Sequence, residues 1–200
     1  MAVCLDYMFD PENLTPEQRN DPYRAARMGS FKSFSDGSLG SRSAKLYTDY
    51  ADDPGNTGIL VISPEDLAKR MYKAYRHGLQ PATHCIGDKA LEVTLDAVEY
   101  CLEQGLKDGM TPEEQAKRLP FRIIHAQMAT PELIERMKKL PLVLDIQPTF
   151  LMTDLHWIEE RVGKERAVLS YPWKTYLDAG LIMAGGSDAP VESFNPWIGI

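Results

Sequence analysis

The sequence predicts an α/β fold with parallel strands, and three observations carry that reading. Short apolar runs alternate with amphipathic segments along most of the chain. The amphipathic segments open on capping residues, often followed by Pro, and space their apolar residues at helical intervals. Residues of chemistry-bearing types gather where the apolar runs end. Strands that alternate with helices pair in parallel through right-handed crossovers, and strands covered on both faces are short and apolar.

The elements follow in order. FKSF (31–34) reads as a strand and leads into a polar stretch rich in Gly, Ser and Asp to about residue 62. SPEDLAKRMYKAYRHG (63–78) reads as a helix, with Ser63 as N-cap and Pro64 at the first helical position. Leu67, Met71, Ala74 and Tyr75 form its apolar stripe, and Gly78 ends it. PATHC (81–85) is a strand. Residues 88–105 form a second helix, with Asp88 as N-cap and Leu91, Leu95, Val98 and Leu102 on one face. FRIIHA (121–126) is a strand, TPELIERMKKL (130–140) a helix capped by Thr130, and LVLDIQP (142–148) a strand. SYPWKTYLDAG (170–180) is a short helix, and LIMAGGSD (181–188) a last strand. Within the first 30 residues, VCLDYMF reads as a strand and PEQRNDPYRAARM as partly helical. Periodicity alone leaves a barrel and an open sheet both open.

Composition narrows the function. The 200 residues are 44% apolar, enough for a hydrophobic core in a single domain over 1–200. A net charge of −7 argues against nucleic-acid and anionic-membrane partners. No apolar run approaches the roughly 20 residues of a membrane span. Cys4, Cys85 and Cys101 lack paired spacing, so a reducing, cytoplasmic setting is expected. The apolar close NPWIGI suggests a sequence that continues in a longer protein.

Chemistry in parallel α/β sheets collects at the carboxyl ends of the strands. Here Lys32 lies on the first strand, and His84, His125, Gln147 and Asp188 stand at the ends of the next four. His84, His125 and Asp188 are metal-ligand types drawn from different strands. Singly, each has an ordinary reading: a hydrogen-bonded strand-end histidine, a turn-capping aspartate, a lysine reaching for solvent. Two histidines at equivalent strand ends, with a later aspartate, favour a metal. His77 suits a helix C-terminus. His156 sits beside Trp157 on a polar segment.

The phrases KSFSDGSLGSRSA, HCIGDKAL, RIIHAQ, IQPTF and GGSDAPVE, in this order, resemble the amidohydrolase superfamily, in particular its amidohydrolase-3 branch with the N-substituted formamide deformylase-like proteins. The resemblance covers residues 31–197. It implies a partial (β/α)8 TIM barrel of the metal-dependent hydrolase type, its strands corresponding to the fourth to eighth. It implies Lys32, His84, His125 and Asp188 as metal ligands, with Lys32 carboxylated on its amine by CO2. A free ammonium has no lone pair for a metal, whereas a carbamate offers anionic oxygen. Asp188 and His125 would be catalytic, and Arg42, Gln147 and Trp157 would contact a small amide-like substrate. The loop DGSLGSRSA would be a flexible cover. The cofactor implied is Zn2+, with one or two divalent metals in the intact protein and at most one here.

Departures from the pattern matter. No HxH pair occurs among the four histidines, no β-sandwich is evident, and Ile124 stands where the branch usually has an acid. The expectation is therefore a fragment of a metal-dependent hydrolase that cleaves a C–N bond. The alternative is an inactive partial barrel whose open edges drive self-association into a homo-oligomer. A weaker alternative uses Lys32 as a Schiff-base amine. Neither a GxGxxG after a strand nor a GxSxG elbow is present.

Overall fold

Strand order decides the architecture. A computed structural model describes residues 29–199, so the strand and helix expected within residues 1–30, and Cys4, lie outside the described residues. The strands β1 (Ser30–Phe34), β2 (Gln80–Cys85), β3 (Phe121–His125), β4 (Leu142–Ile146) and β5 (Met183–Gly185) form one sheet in chain order. Every neighbouring pair is parallel. A doubly wound sheet reverses direction at a switch point and puts helices on both faces. The described strands never reverse, and right-handed crossovers stepping one way put their helices on one face. The sheet is a run of barrel staves.

The helices are α1 (Pro64–Arg76), α2 (Asp88–Lys107), α3 (Pro112–Ala116), α4 (Pro131–Met137), α5 (Pro148–Asp154), α6 (Ile158–Val162), α7 (Lys164–Ala167) and α8 (Trp173–Asp178), followed by a 3-10 turn at Pro196–Ile198. Local chemistry explains α1. The Ser63 hydroxyl accepts from the Asp66 N–H at 3.1 Å, and Pro64 follows it. Leu67, Met71, Ala74 and Tyr75 are all buried. Gly78, at φ +78°, turns the chain out of the helix. In α2 the N-cap is Gly87 rather than Asp88. The Asp88 carboxylate instead accepts from the Tyr47 N–H at 3.0 Å, because the loop after β1 packs on this helix start.

Strand alternation sorts the side chains. Cys85, Phe121, Ile123, Leu142, Leu144 and Ile146 are buried in one cluster with Leu67 of α1, Leu91 of α2, Leu133 of α4 and Tyr176 of α8. Lys32, His84, Arg122 and Asp145 lie on the other face and are half-buried. There Arg122 grips Asp145 with both ends of its guanidinium, one bond being 2.7 Å. That face is mixed, with Ala82 and Ile124 buried among these polar groups, so the strands are less uniformly apolar than expected. The inner face carries polar groups toward the site.

The long segment after β1 is packed rather than a flexible cover. Leu39, Ala44, Leu46 and Tyr50 are buried with Ile86, Met128, Ile158, Val162 and Tyr171 in a second cluster. One carboxylate fastens this segment to the sheet. Asp36, fully buried, accepts from the N–H groups of Ile86 (3.0 Å), Gly87 (2.8 Å) and Lys45 (2.9 Å). Burial pushes its carboxyl up to about 7, although these three donors pull the other way.

Asp36→Asn puts an amide N–H₂ against backbone donors, and the expected loss is about 2–3 kcal/mol of stability in urea unfolding. The folded carboxyl holds its proton more tightly than an ordinary Asp, so its contribution is full below about pH 4 and fades toward pH 7. The gap between the wild-type and Asn chains should accordingly narrow across that window. Gly87→Ala would set a Cβ 2.0 Å from the Lys45 carbonyl oxygen, a backbone atom with little room to yield. A lowered melting temperature is the expected result.

Candidate functional site

The carboxyl ends of β2 and β3 bring two imidazoles into contact. His84, next to last in β2, lies on the inner face. His125 ends β3, and period-2 alternation would place it with Ile123 on the helix side. The backbone overrides that parity: φ is +77° at His125 and +47° at Ala126, left-handed values that non-glycine residues adopt at a cost. The two rings meet edge to face with centroids 4.5 Å apart. Phe34 lies 5.1 Å from the His84 ring, and Phe150 stacks 5.9 Å from that of His125.

Both imidazoles are held neutral. His125 is only 2% exposed, and burial, then His84 and Lys32, push it down to about 3 against the opposing bond to Gln147. His84 is lowered chiefly by burial and also by the Lys32 charge. Lys32 sits in mid-strand with its Nζ 4.9 Å from the centroid of the Phe34 ring. His84 Nε2 is 2.9 Å from the Gly37 carbonyl oxygen and 3.6 Å from Asp36 Oδ1. His125 Nδ1 is 2.7 Å from Gln147 Oε1, and its Nε2 is 4.0 Å from Asp188 Oδ2. Asp188 follows β5 at φ +54° and is partly open to solvent.

Neutral imidazoles and a carboxylate are donor types that a divalent cation takes. In chemical type the residues fit such an ion. In spacing, no three His, Cys, Asp or Glu side chains among the described residues come together closely enough to hold one.

The other residues named from the sequence are placed differently. Gln147 is buried just past β4 and bonds His125 directly. Arg42 is engaged in a two-bond ion pair with Asp52, 3.0 and 2.8 Å long. Trp157 is half-buried against the second cluster, with the Arg161 guanidinium 5.7 Å from its ring. His156 is exposed.

Sequence reasoning missed Asp36 and Gly37, whose DG pair reads as an ordinary turn. It also missed a cavity of about 430 Å³ lined by Pro148, Thr149, Gly185, Gly186, Ser187 and Phe194. The cavity opens between the ends of β4 and β5, and the Thr149 hydroxyl is buried without a partner.

Comparison with known proteins identifies the family and the fold. The chain is 40% identical over 185 residues to the putative amidohydrolase YtcJ of Bacillus subtilis (strain 168), which covers 92% of this chain and 32% of YtcJ. It is 39% identical over 171 residues to the protein LONG AFTER FAR-RED 3 of Arabidopsis thaliana, covering 84% of this chain and 28% of that one. The crystal structure of an uncharacterized metal-dependent hydrolase from Pyrococcus furiosus superposes with a TM-score of 0.76 at 35% identity, over 88% of this chain and 34% of that one. A counterpart from Pyrococcus horikoshii OT3 gives 0.74 at 37% identity, over 88% and 33%. The chain therefore spans about a third of the length of these relatives. Its strands are a section of a metal-dependent hydrolase TIM barrel. The profile of the amidohydrolase family matches all of residues 1–200, and the chain belongs to that family.

Proposed function

We propose that this chain carries part of the active centre of a metal-dependent amidohydrolase that cleaves a C–N bond in a small, amide-like, non-peptide substrate. One observation supports it above the others. The neutral, buried His125 turns Nε2 toward the Asp188 carboxylate at 4.0 Å, too far for a hydrogen bond and without the charge for an ion pair. A cation between them would satisfy both.

Lys32, His84, His125 and Asp188 would hold the ion, with zinc the reading favoured by two imidazoles and a carboxylate. Lys32 would contribute as a carbamate, its amine having added CO2. That exchange replaces a cation that presses on both histidines by an anionic oxygen donor. The bound metal would lower the pKa of a water and polarise the substrate carbonyl. Asp188, open to solvent on one side, would take a proton from the attacking water as the C–O bond forms. It would pass that proton to the leaving nitrogen as the C–N bond breaks, giving an acid and an amine. The cavity beside Ser187 would receive the substrate's apolar part. Trp157 and Arg42 would contact the substrate, Arg42 only after leaving Asp52.

A second reading rests on the spacing of the ligands. Because no three conventional donors converge among the described residues, the chain on its own would fold without turning over substrate, and its open edges would favour a homo-oligomer.

The test is elemental analysis of the chain expressed with zinc and bicarbonate. About one zinc per chain, lost in Lys32→Ala and in His125→Ala, is the expected result. A wild-type chain free of metal would overturn the metal reading for this chain and leave the inactive partial barrel. Release of amine from a panel of N-substituted amides then separates a binding centre from a working one.

A further inference from the structure

We infer that Gln147 is a positioning residue: clamped by the main chain of Asp145, its amide fixes the tautomer of His125 and so aims the Nε2 lone pair at Asp188. The inference deepens the metal reading above, but its first step stands without any metal.

The argument is a chain of donors and acceptors. Gln147 Nε2 lies 2.9 Å from the Asp145 carbonyl oxygen. A carbonyl oxygen only accepts, so the amide end beside it must be the N–H₂ group. The other end, 2.7 Å from His125 Nδ1, is then Oε1, which also only accepts. His125 Nδ1 must therefore carry the ring proton. A neutral imidazole has one proton, so Nε2 carries the lone pair. That nitrogen is the one facing Asp188 at 4.0 Å.

The anchor of this relay is rigid. Asp145 is a β4 strand residue, paired in register with Ile124 of β3. Its side chain is gripped by Arg122, and Gln147 itself is only 4% exposed. The neighbouring histidine is set by a different partner. His84 Nε2 meets the Gly37 carbonyl oxygen at 2.9 Å, so it donates there and its Nδ1 holds the lone pair. The two histidines thus present opposite ring nitrogens, each dictated by an acceptor outside the cluster. Left alone, imidazole favours the proton on Nε2, which would close His125 to a cation. A partner on the far nitrogen typically tunes metal affinity roughly 10–100-fold.

The experiment uses the metal-free chain labelled with 15N in its four histidines. Long-range 1H–15N correlation distinguishes Nδ1–H from Nε2–H rings, and His→Gln variants assign them. The expected wild-type pattern is Nδ1–H for His125 and Nε2–H for His84. In Gln147→Leu, His125 should shift toward Nε2–H while His84 keeps its signature, and zinc affinity by chelator competition should fall roughly 10–100-fold. Gln147→Glu retains an acceptor and should restore the Nδ1–H ring. An Nε2–H ring for His125 in the wild-type chain, or an unchanged tautomer in Gln147→Leu, overturns the inference. If Gln147→Leu also disturbs His84, the Glu variant decides: Nδ1–H upholds the inference and Nε2–H overturns it. Failure of the wild-type chain to bind zinc, with the tautomers as expected, would count against the metal reading alone.

Discussion

Three backbone N–H groups converge on the carboxylate of Asp36, and the geometry at the top of the sheet depends on that convergence. Two donors, Ile86 and Gly87, belong to the turn that starts α2, and the third, Lys45, to the long segment after β1. The carboxylate therefore joins β1, the β2–α2 turn and the loop at one point. Gly37, its neighbour, is thereby held where its carbonyl can accept from His84. The loop then closes over the second apolar cluster, and Tyr50 donates from its hydroxyl back to the Ala44 carbonyl. A buried polar hub of this kind is costly when unpaired and rigid when satisfied.

The second constraint is the left-handed backbone at His125 and Ala126. Without it the ring would point among the helices, where Ile123 already packs. Tyr176 donates to the Ala126 carbonyl at 2.8 Å, and the Ala126 N–H reaches the Cys85 carbonyl at 2.9 Å. These bonds oppose the local strain, of order 1–3 kcal/mol per such residue. Strain held this way keeps the His125 ring against His84 and its Nε2 toward the Asp188 carboxylate, which stays partly open to solvent.

Much of this was legible in the sequence, and what escaped did so for physical reasons. The five strands and four of the helices follow from periodicity, caps and turn residues, because each is a local signal. The helix α3 had a signal that went unread: Thr111 and Glu114 form a capping box on a single turn. The short helices between residues 148 and 167 are less than three turns each, too short for a period to emerge. The proximity of His84, His125 and Asp188 was legible because strand ends converge in any parallel barrel. The Arg42–Asp52 pair was not legible, because Asp52 meets Arg42 only when the loop folds, which no spacing rule reports. Asp36 and Gly37 act through backbone groups of distant residues, so their types alone say nothing. The orientation of His125 depends on left-handed backbone at His125 and Ala126, which no residue type there announces.

The order of the strands also bears on how the chain assembles. Each strand hydrogen-bonds to the strand made just before it, so every βα unit can dock on a surface that already exists. Such nearest-neighbour growth keeps loop-closure distances short and suits folding in step with synthesis. The strand-end residues then arrive one at a time: Lys32, His84, His125, Gln147 and Asp188. A nascent chain therefore presents these polar groups singly through most of the synthesis of this section, and the His84–His125 and His125–Asp188 contacts come into being only as β3 and then β5 seat.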